Sequence, residues 1–249
     1  MRPYYQNAHG VLWQGDCLAV MGYLQIEYGA RFADMVLCDP PYGTTRNKWD
    51  AVVSLEKMWP RTWACSGPGA AVVFTAAQPF TSTLGASQID YLRYSWVWEK
   101  SAATGHLNAK RMPMKNHEDV LIFYQEPPTY NPQGVAACNK VTRRGGNGGC
   151  YGASGKENVQ DLTNYPRTIV AFRSEGRTVH PTQKPVALFA YLIQTYTNPG
   201  EVVLDFCAGS GTTAVAAEET GRRWVCIEKE EKYCELIAKR LEARKGGPA

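Results

Sequence analysis

Four consecutive residues, Asp39-Pro40-Pro41-Tyr42, set a carboxylate, two proline rings and an aromatic face at the end of the apolar run Met35-Val36-Leu37-Cys38. Typical residue usage would place this tetrapeptide in roughly one chain in a thousand of this length. Each proline fixes φ and removes a backbone donor, so carbonyls there stay available as acceptors beside the Asp39 carboxylate. A rigid group of acceptors can take both hydrogens of an amino group. Tyr42 adds a face on which a base extruded from a duplex could stack. An exocyclic amino nitrogen is a poor nucleophile, because its lone pair is delocalised into the ring. Acceptors that bind its hydrogens in a tetrahedral arrangement turn that pair toward an incoming electrophile, and position supplies much of the rate. The plainer alternative is a Pro-Pro turn after a strand, with Asp39 as a local cap and Tyr42 in the core.

A second constellation lies in the other half of the chain. Asp205-Phe206-Cys207-Ala208-Gly209-Ser210-Gly211-Thr212 joins an apolar run to a helical pattern. Glycine there lets the backbone turn sharply and approach a ligand at the carboxyl end of a sheet. The spacing is not the GxGxxG of a pyrophosphate-binding turn. Asp205 ends one strand and can hold a cationic amino group; Glu228 ends the next and can accept from both hydroxyls of a ribose. This pattern suits an adenosine ligand without a pyrophosphate, against the alternative of a structural strand-turn-helix junction.

The elements that must carry these groups alternate. Val11 to Gln14 reads as a strand, and a helix follows from about Cys17 to Tyr28. Apolar runs at Met35–Cys38, Ala70–Thr75, Tyr94–Trp98 and Asp119–Tyr124 predict strands of a sheet covered on both faces. Regularity returns at Pro185 with a helix carrying Phe189, Leu192, Ile193 and Tyr196. Then come a strand to Phe206, a helix from Thr212, a strand from Arg223 to Ile227 and a final amphipathic helix. Such an ending predicts an α/β, doubly wound fold. Residues 126–179, with Pro127-Pro128 and Gly145-Gly146-Asn147-Gly148-Gly149, read as a loop-rich insertion with short elements near Tyr165 to Phe172. The parts are therefore 1–125, 126–179 and 180–249. The insertion holds seven basic and four acidic residues, and so +3 of the chain's net +4. That suits contact with a phosphate backbone, as it also suits an ordinary solvated loop.

The two motifs together resemble the amino-methyltransferases of DNA, specifically the permuted β-class, in which the DPPY segment comes first, the target-recognition region follows and the cofactor loop comes last. Gly15-Asp16-Cys17-Leu18, His117-Glu118-Asp119-Val120-Leu121, Tyr165-Pro166-Arg167-Thr168, His180-Pro181-Thr182-Gln183-Lys184-Pro185 and the run from Gly221 through Glu228 to Arg240-Leu241 look like further segments of that family. The resemblance implies a Rossmann-like class I S-adenosylmethionine methyltransferase fold with a mostly parallel seven-stranded sheet. It implies transfer of a methyl group from S-adenosyl-L-methionine to a base flipped out of double-stranded DNA. Asp39, Pro40, Pro41 and Tyr42 would be the catalytic residues. Asp205 to Thr212 would line the methionine and sulfonium part of the cofactor, with Asp39 alongside. Glu228 would bind its ribose, Asp16 would contact its adenine, and Gln183 and Lys184 would lie near its carboxylate. The residues themselves equally admit Asp16 as a helix cap and Lys184 as a surface charge. Family practice pairs Asp at the first motif position with adenine N6 and Ser with cytosine N4, so adenine is the expected base. Lys140, Arg143, Arg144 and Arg167 are the expected DNA contacts. A homodimer and a cognate restriction endonuclease are partners the resemblance admits without deciding.

Other classes fit less well. Cytosine C5 chemistry needs a covalent thiol, and no Pro-Cys dipeptide occurs. A dinucleotide oxidoreductase would want the missing GxGxxG. Intact Asp39, Tyr42 and Gly209-Ser210-Gly211 give no support to an inactive nucleic-acid-binding module. RNA or protein amino groups are methylated with similar motifs, usually with Asn in place of Asp39. The eight cysteines contain no CxxC pair and the four histidines no ligand spacing, so reduced thiols and no metal are expected. No window is apolar enough to span a membrane, and Met1 to Gln6 lacks the features of a signal peptide. The expectation is a cytoplasmic protein, bacterial or phage-encoded.

Overall fold

A computed structural model describes residues 1–44, 50–143, 157–175 and 183–245. Its strands are Tyr5–Gln6 (β1), Gly10–Gln14 (β2), Ala33–Cys38 (β3), Ser66–Ala76 (β4), Leu92–Thr104 (β5), Lys115–Phe123 (β6), Ala136–Arg143 (β7), Glu157–Thr163 (β8), Ile169–Phe172 (β9), Val202–Asp205 (β10) and Arg223–Glu228 (β11). Its helices are Cys17–Glu27 (α1), Leu55–Cys65 (α2), Phe80–Ala86 (α3), Val186–Tyr196 (α4), Thr212–Glu219 (α5) and Glu231–Lys245 (α6). Contacts divide the chain into residues 1–131 with 168–249, and residues 132–167.

The larger unit is built on one sheet in the order β1-β2-β11-β10-β3-β4-β6-β5-β9. Side chains alternate across it as strand geometry requires. Met35 and Leu37 of β3 and Ala71 and Val73 of β4 face one layer, completed by Leu188, Phe189, Leu192 and Ile193 of α4, Ala214 to Ala217 of α5, and Ile237 and Leu241 of α6. Val36, Cys38, Val72 and Phe74 face the other, with Val20, Met21 and Leu24 of α1, Met58 and Trp59 of α2, and Phe80 and Leu84 of α3. Among the described residues, three helices on each face make β3 and β4 buried on both sides, which is why they read as unbroken apolar runs.

Among the described residues nine strands form this sheet, where seven were expected. The two additions are edge strands. β1 has two residues paired antiparallel to β2, and β9 has four paired parallel to β5, both too short to impose a readable period. Residues 132–167 are more regular than their sequence suggests. β7 and β8 pair antiparallel from Ala136↔Thr163 to Arg143↔Glu157, with an irregularity between Ala137 and Lys140 that breaks the alternation. The Gly145–Gly149 run lies outside the described residues.

Candidate active site

Five neighbouring strands, β2, β11, β10, β3 and β4, run parallel, so their carboxyl ends meet at one rim. Asp16 follows β2, Glu228 ends β11, Asp205 ends β10 and Asp39 follows β3. The chain leaves β3 toward β4 and β10 toward β11, in opposite directions along the sheet, and ligands of doubly wound folds bind at such a switch point. A cavity of about 430 Å³ opens there. Asp16, Asp39, Pro40, Pro41, Tyr42, Gln183, Lys184, Asp205, Phe206, Cys207, Ala208, Gly209, Ser210, Thr212 and Glu228 all line it.

Gly211 does not. Its backbone is left-handed, at φ 75°, and a Cβ there would meet Ile237 of α6 at 2.8 Å. The glycine caps α5 and lets α6 pack closely. Arg240 of α6 donates to the Ser210 carbonyl at 3.0 Å, so the same helix also braces the loop.

The loop half of the cavity holds two buried acids, Asp205 and Glu228. Burial pushes the Asp205 carboxyl up to about 7, against the pull of donors from Thr213 and the Cys207 amide. Burial also raises the Glu228 carboxyl, which accepts from the amides of Gly209 and Glu230 at 2.8 Å each. A carboxylate has about four lone-pair sites, so Glu228 keeps capacity for hydroxyl donors. Two buried acids of this kind fit a ligand that carries a cationic amino group and vicinal hydroxyls. Asp16 does cap α1, accepting from Leu18 and Ala19 at 3.1 and 3.2 Å through Oδ1, and it lines the cavity as well. Cys17 and Cys207 also line it, with Cys38 behind. Contact with the Cys207 thiol raises that of Cys17, and burial pushes Cys38 up to about 12, so neither supplies a ready thiolate.

The other half is a charged cluster. Lys184, expected near a ligand carboxylate, has its ammonium 2.7 Å from both oxygens of Asp39 and 3.2 Å from Glu118, with the side chain 6% exposed. Two carboxylates attract it inward more strongly than water does. Burial pushes Lys184 down, but Asp39 and Glu118 outweigh it and hold the ammonium above its ordinary value. Burial likewise pushes Glu118 up, and Lys184 and Lys100 together hold it lower than usual. Tyr42 donates to Asp39 Oδ1 at 2.8 Å, and Thr75 donates to the same oxygen. Burial keeps Tyr42 a phenol, and its ring stacks on Phe80 at 5.5 Å, which covers one face. Asp39 Oδ1 thus receives three donors, whereas Oδ2 receives only Lys184 among the described residues and retains a lone pair.

Sequence reasoning missed Glu118, Lys100 and Thr75 as members of this site. Thr75 could have been inferred as the strand-end neighbour of Asp39, since β3 and β4 pair with Cys38 opposite Phe74. Among the residues expected to contact a phosphate backbone, Lys140 and Arg167 are exposed in the smaller unit. Arg144 and the Arg143 side chain lie outside the described residues. Among the described residues no group of His, Cys, Asp or Glu could hold a metal, and no helix is long and apolar enough to cross a membrane.

A family model described as DNA methylase, N6_N4_Mtase, matches residues 71–240. The type II methyltransferase M.ScaI of Streptomyces caespitosus is 29% identical over 266 residues, spanning 97% of this chain and 84% of that protein. The structure of an M1.HpyAVI–SAM complex superposes with a TM-score of 0.65 at 22% identity, covering 92% of this chain and 98% of that one. The PvuII DNA methyltransferase, cytosine-N4-specific, gives a TM-score of 0.69 at 16% identity, covering 96% and 88%. At these identities the two structures establish a shared fold.

Proposed function

Since the chain belongs to the N6/N4 DNA methylase family, we propose that it transfers a methyl group from S-adenosyl-L-methionine to N6 of an adenine flipped out of double-stranded DNA. One observation carries this reading: Asp39-Pro40-Pro41-Tyr42 and residues 205–210 with Thr212, from different halves of the chain, line a single cavity. Asp at the first motif position supports adenine over cytosine.

When bound, S-adenosyl-L-methionine supplies an electrophilic sulfonium methyl. Asp205 would hold its amino group, Glu228 its ribose hydroxyls, and the turn at Gly209 would let the backbone approach. Asp39 Oδ2 accepts one hydrogen of the target amino group and the Pro40 carbonyl the other. Lys184, Tyr42 and Thr75 fix the Asp39 carboxylate so that its open lone pair keeps one direction. Tyr42, backed by Phe80 and tethered by its hydroxyl, supports stacking through the part of its ring that lines the cavity. Asp39 orients the amino group for attack; the N–C bond would form as the sulfonium S–C bond breaks to leave a neutral thioether, and the nitrogen, cationic only then, would give its proton to Asp39 Oδ2 and through it to water. The insertion 126–179 is the proposed target-recognition region; exposed Lys140 and Arg167 support phosphate contact by residues 132–167.

Incubating the protein with unmethylated DNA and isotopically labelled S-adenosyl-L-methionine, then digesting the DNA for mass spectrometry, tests the reading. Labelled N6-methyladenine is expected. Labelled N4-methylcytosine would overturn the choice of base, and cofactor binding with unlabelled DNA would overturn DNA as the substrate.

A further inference from the structure

Lys100 of β5 and Glu118 of β6 both belong to the charged cluster around Asp39, and the chain between them leaves the sheet as one hairpin. Residues 101–117 are all exposed and contain Lys110, Arg111 and Lys115 but no acid. β5 runs parallel to the strands that end at the active-site rim, so the hairpin rises from that rim. Its tip is ordered by its own backbone. Gly105 stands at φ 92°, a 3-10 turn spans His106–Asn108, and the Arg111 and Met112 amides donate to the Asn108 carbonyl at 2.8 and 3.0 Å. This turn holds Leu107 98% exposed, with Met112 52% and Met114 37% exposed beside it.

A single exposed leucine is ordinary. A leucine at the apex of a structured, acid-free basic hairpin, anchored at its base in the catalytic cluster, is a different combination. Ammonium and guanidinium groups match a phosphate backbone, and an apolar tip can lodge between unstacked bases. We propose that residues 105–115 form a DNA-contacting element, with Lys110, Arg111 and Lys115 on phosphates and Leu107 entering the base stack beside the extruded base. The proposal rests on the reading of the site as a DNA methylase acting on a flipped base.

Two variants test it: the triple substitution Lys110→Gln, Arg111→Gln, Lys115→Gln, and Leu107→Ser. Binding of sheared unmethylated duplex DNA is measured across a salt series. The slope of log affinity against log salt should flatten by about 2.7 in the triple variant, for three lost phosphate contacts. Leu107→Ser should lower turnover on duplex DNA on the order of tenfold while leaving turnover on the same DNA, heat-denatured, unchanged. Both variants should bind the cofactor as the parent does, which confirms folding. An unchanged salt slope, or equal losses on duplex and denatured DNA, would overturn the proposal; so would a triple variant that loses affinity for anionic phospholipid vesicles but not for duplex DNA. Methyl transfer by the parent with an unchanged slope removes only this inference. A flattened slope without methyl transfer by the parent removes the catalytic reading and leaves the contact standing.

Discussion

Lys184 Nζ lies 2.7 Å from both carboxylate oxygens of Asp39, and the two residues stand 145 positions apart in the chain. The pair ties the segment after β3 to the segment before α4, and so joins the Asp39-Pro40-Pro41-Tyr42 segment to the half of the chain that carries the loop. Its third partner, Glu118, makes the ammonium the common counter-charge of two half-buried acids.

Lys184→Met should therefore cost about 3–5 kcal/mol of stability, because it strands Asp39 and Glu118 together without their shared cation. Glu118 now titrates lower than usual, so its contribution is present at neutral pH and is lost as pH falls through its folded value. In the variant one of the two ammonium groups holding it low is gone, and its loss should begin at higher pH. Urea unfolding of parent and variant between pH 4 and 8 measures both effects. Equal stability across that range would mean that the cluster is not a mutual support.

Asp39→Ala should reduce turnover by about 10²–10³-fold while leaving cofactor affinity within a few-fold of the parent. The substitution removes the acceptor with the open lone pair, and Lys184 still has Glu118 to satisfy it. Single-turnover kinetics with isothermal titration of the cofactor separates the two quantities. A loss seen only in cofactor affinity would move Asp39 from the base to the cofactor.

Much of this site was legible because its chemistry sits in contiguous residues. Asp39 to Tyr42 and Asp205 to Thr212 are runs whose composition alone restricts the backbone, and the apolar runs before them placed both at strand ends. What was not legible depends on pairing across the sheet. Thr75 reaches Asp39 because β4 lies beside β3; Glu118 reaches Lys184, and Lys100 reaches Glu118, because β6 and β5 follow in that order. A local pattern carries no record of which strand lies next to which. Lys184 illustrates the same limit: at a helix start it reads as a surface charge or a ligand contact, and only the arrival of two carboxylates from distant strands makes burial favourable. Gly211 adjoins the lining residues and reads as one of them, and only its left-handed φ and the approach of Ile237 reveal its packing role.

Cofactor affinity should fall as pH drops below about 7. Asp205 takes up a proton at about that value, and the neutral acid no longer offers a charge to a cationic amino group. The sign for stability is opposite. The folded protein without cofactor binds this proton more tightly than the unfolded chain, so the contribution of Asp205 to stability increases as pH falls from about 7 toward the ordinary carboxylate range. Calorimetric titration of the cofactor from pH 5.5 to 8.5 should therefore show uptake of the cofactor coupled to proton release. Asp205→Asn should bind more weakly at pH 8 and lose most of that pH dependence; a parent-like profile in the variant would place the titrating group elsewhere.

Gly209 and Gly211 both hold left-handed backbones, at φ 52° and 75°, so alanine at either meets the same conformational penalty of about 1–2 kcal/mol. Their surroundings differ. A Cβ on Gly209 would find only the Cys207 carbonyl, at 3.9 Å, whereas one on Gly211 would lie 2.8 and 2.9 Å from the two γ carbons of Ile237. Ile237 is fully buried and cannot swing away, so Gly211→Ala must displace α6 or the loop that Arg240 braces. Gly211→Ala should lower the thermal midpoint more than Gly209→Ala, by about a further 1–3 kcal/mol of overpacking. Gly209→Ala should act mainly on cofactor affinity, since Gly209 lines the cavity and Gly211 does not. Thermal unfolding and cofactor titration of the two variants side by side check both halves; equal midpoints would mean that α6 yields to the added methyl at no cost.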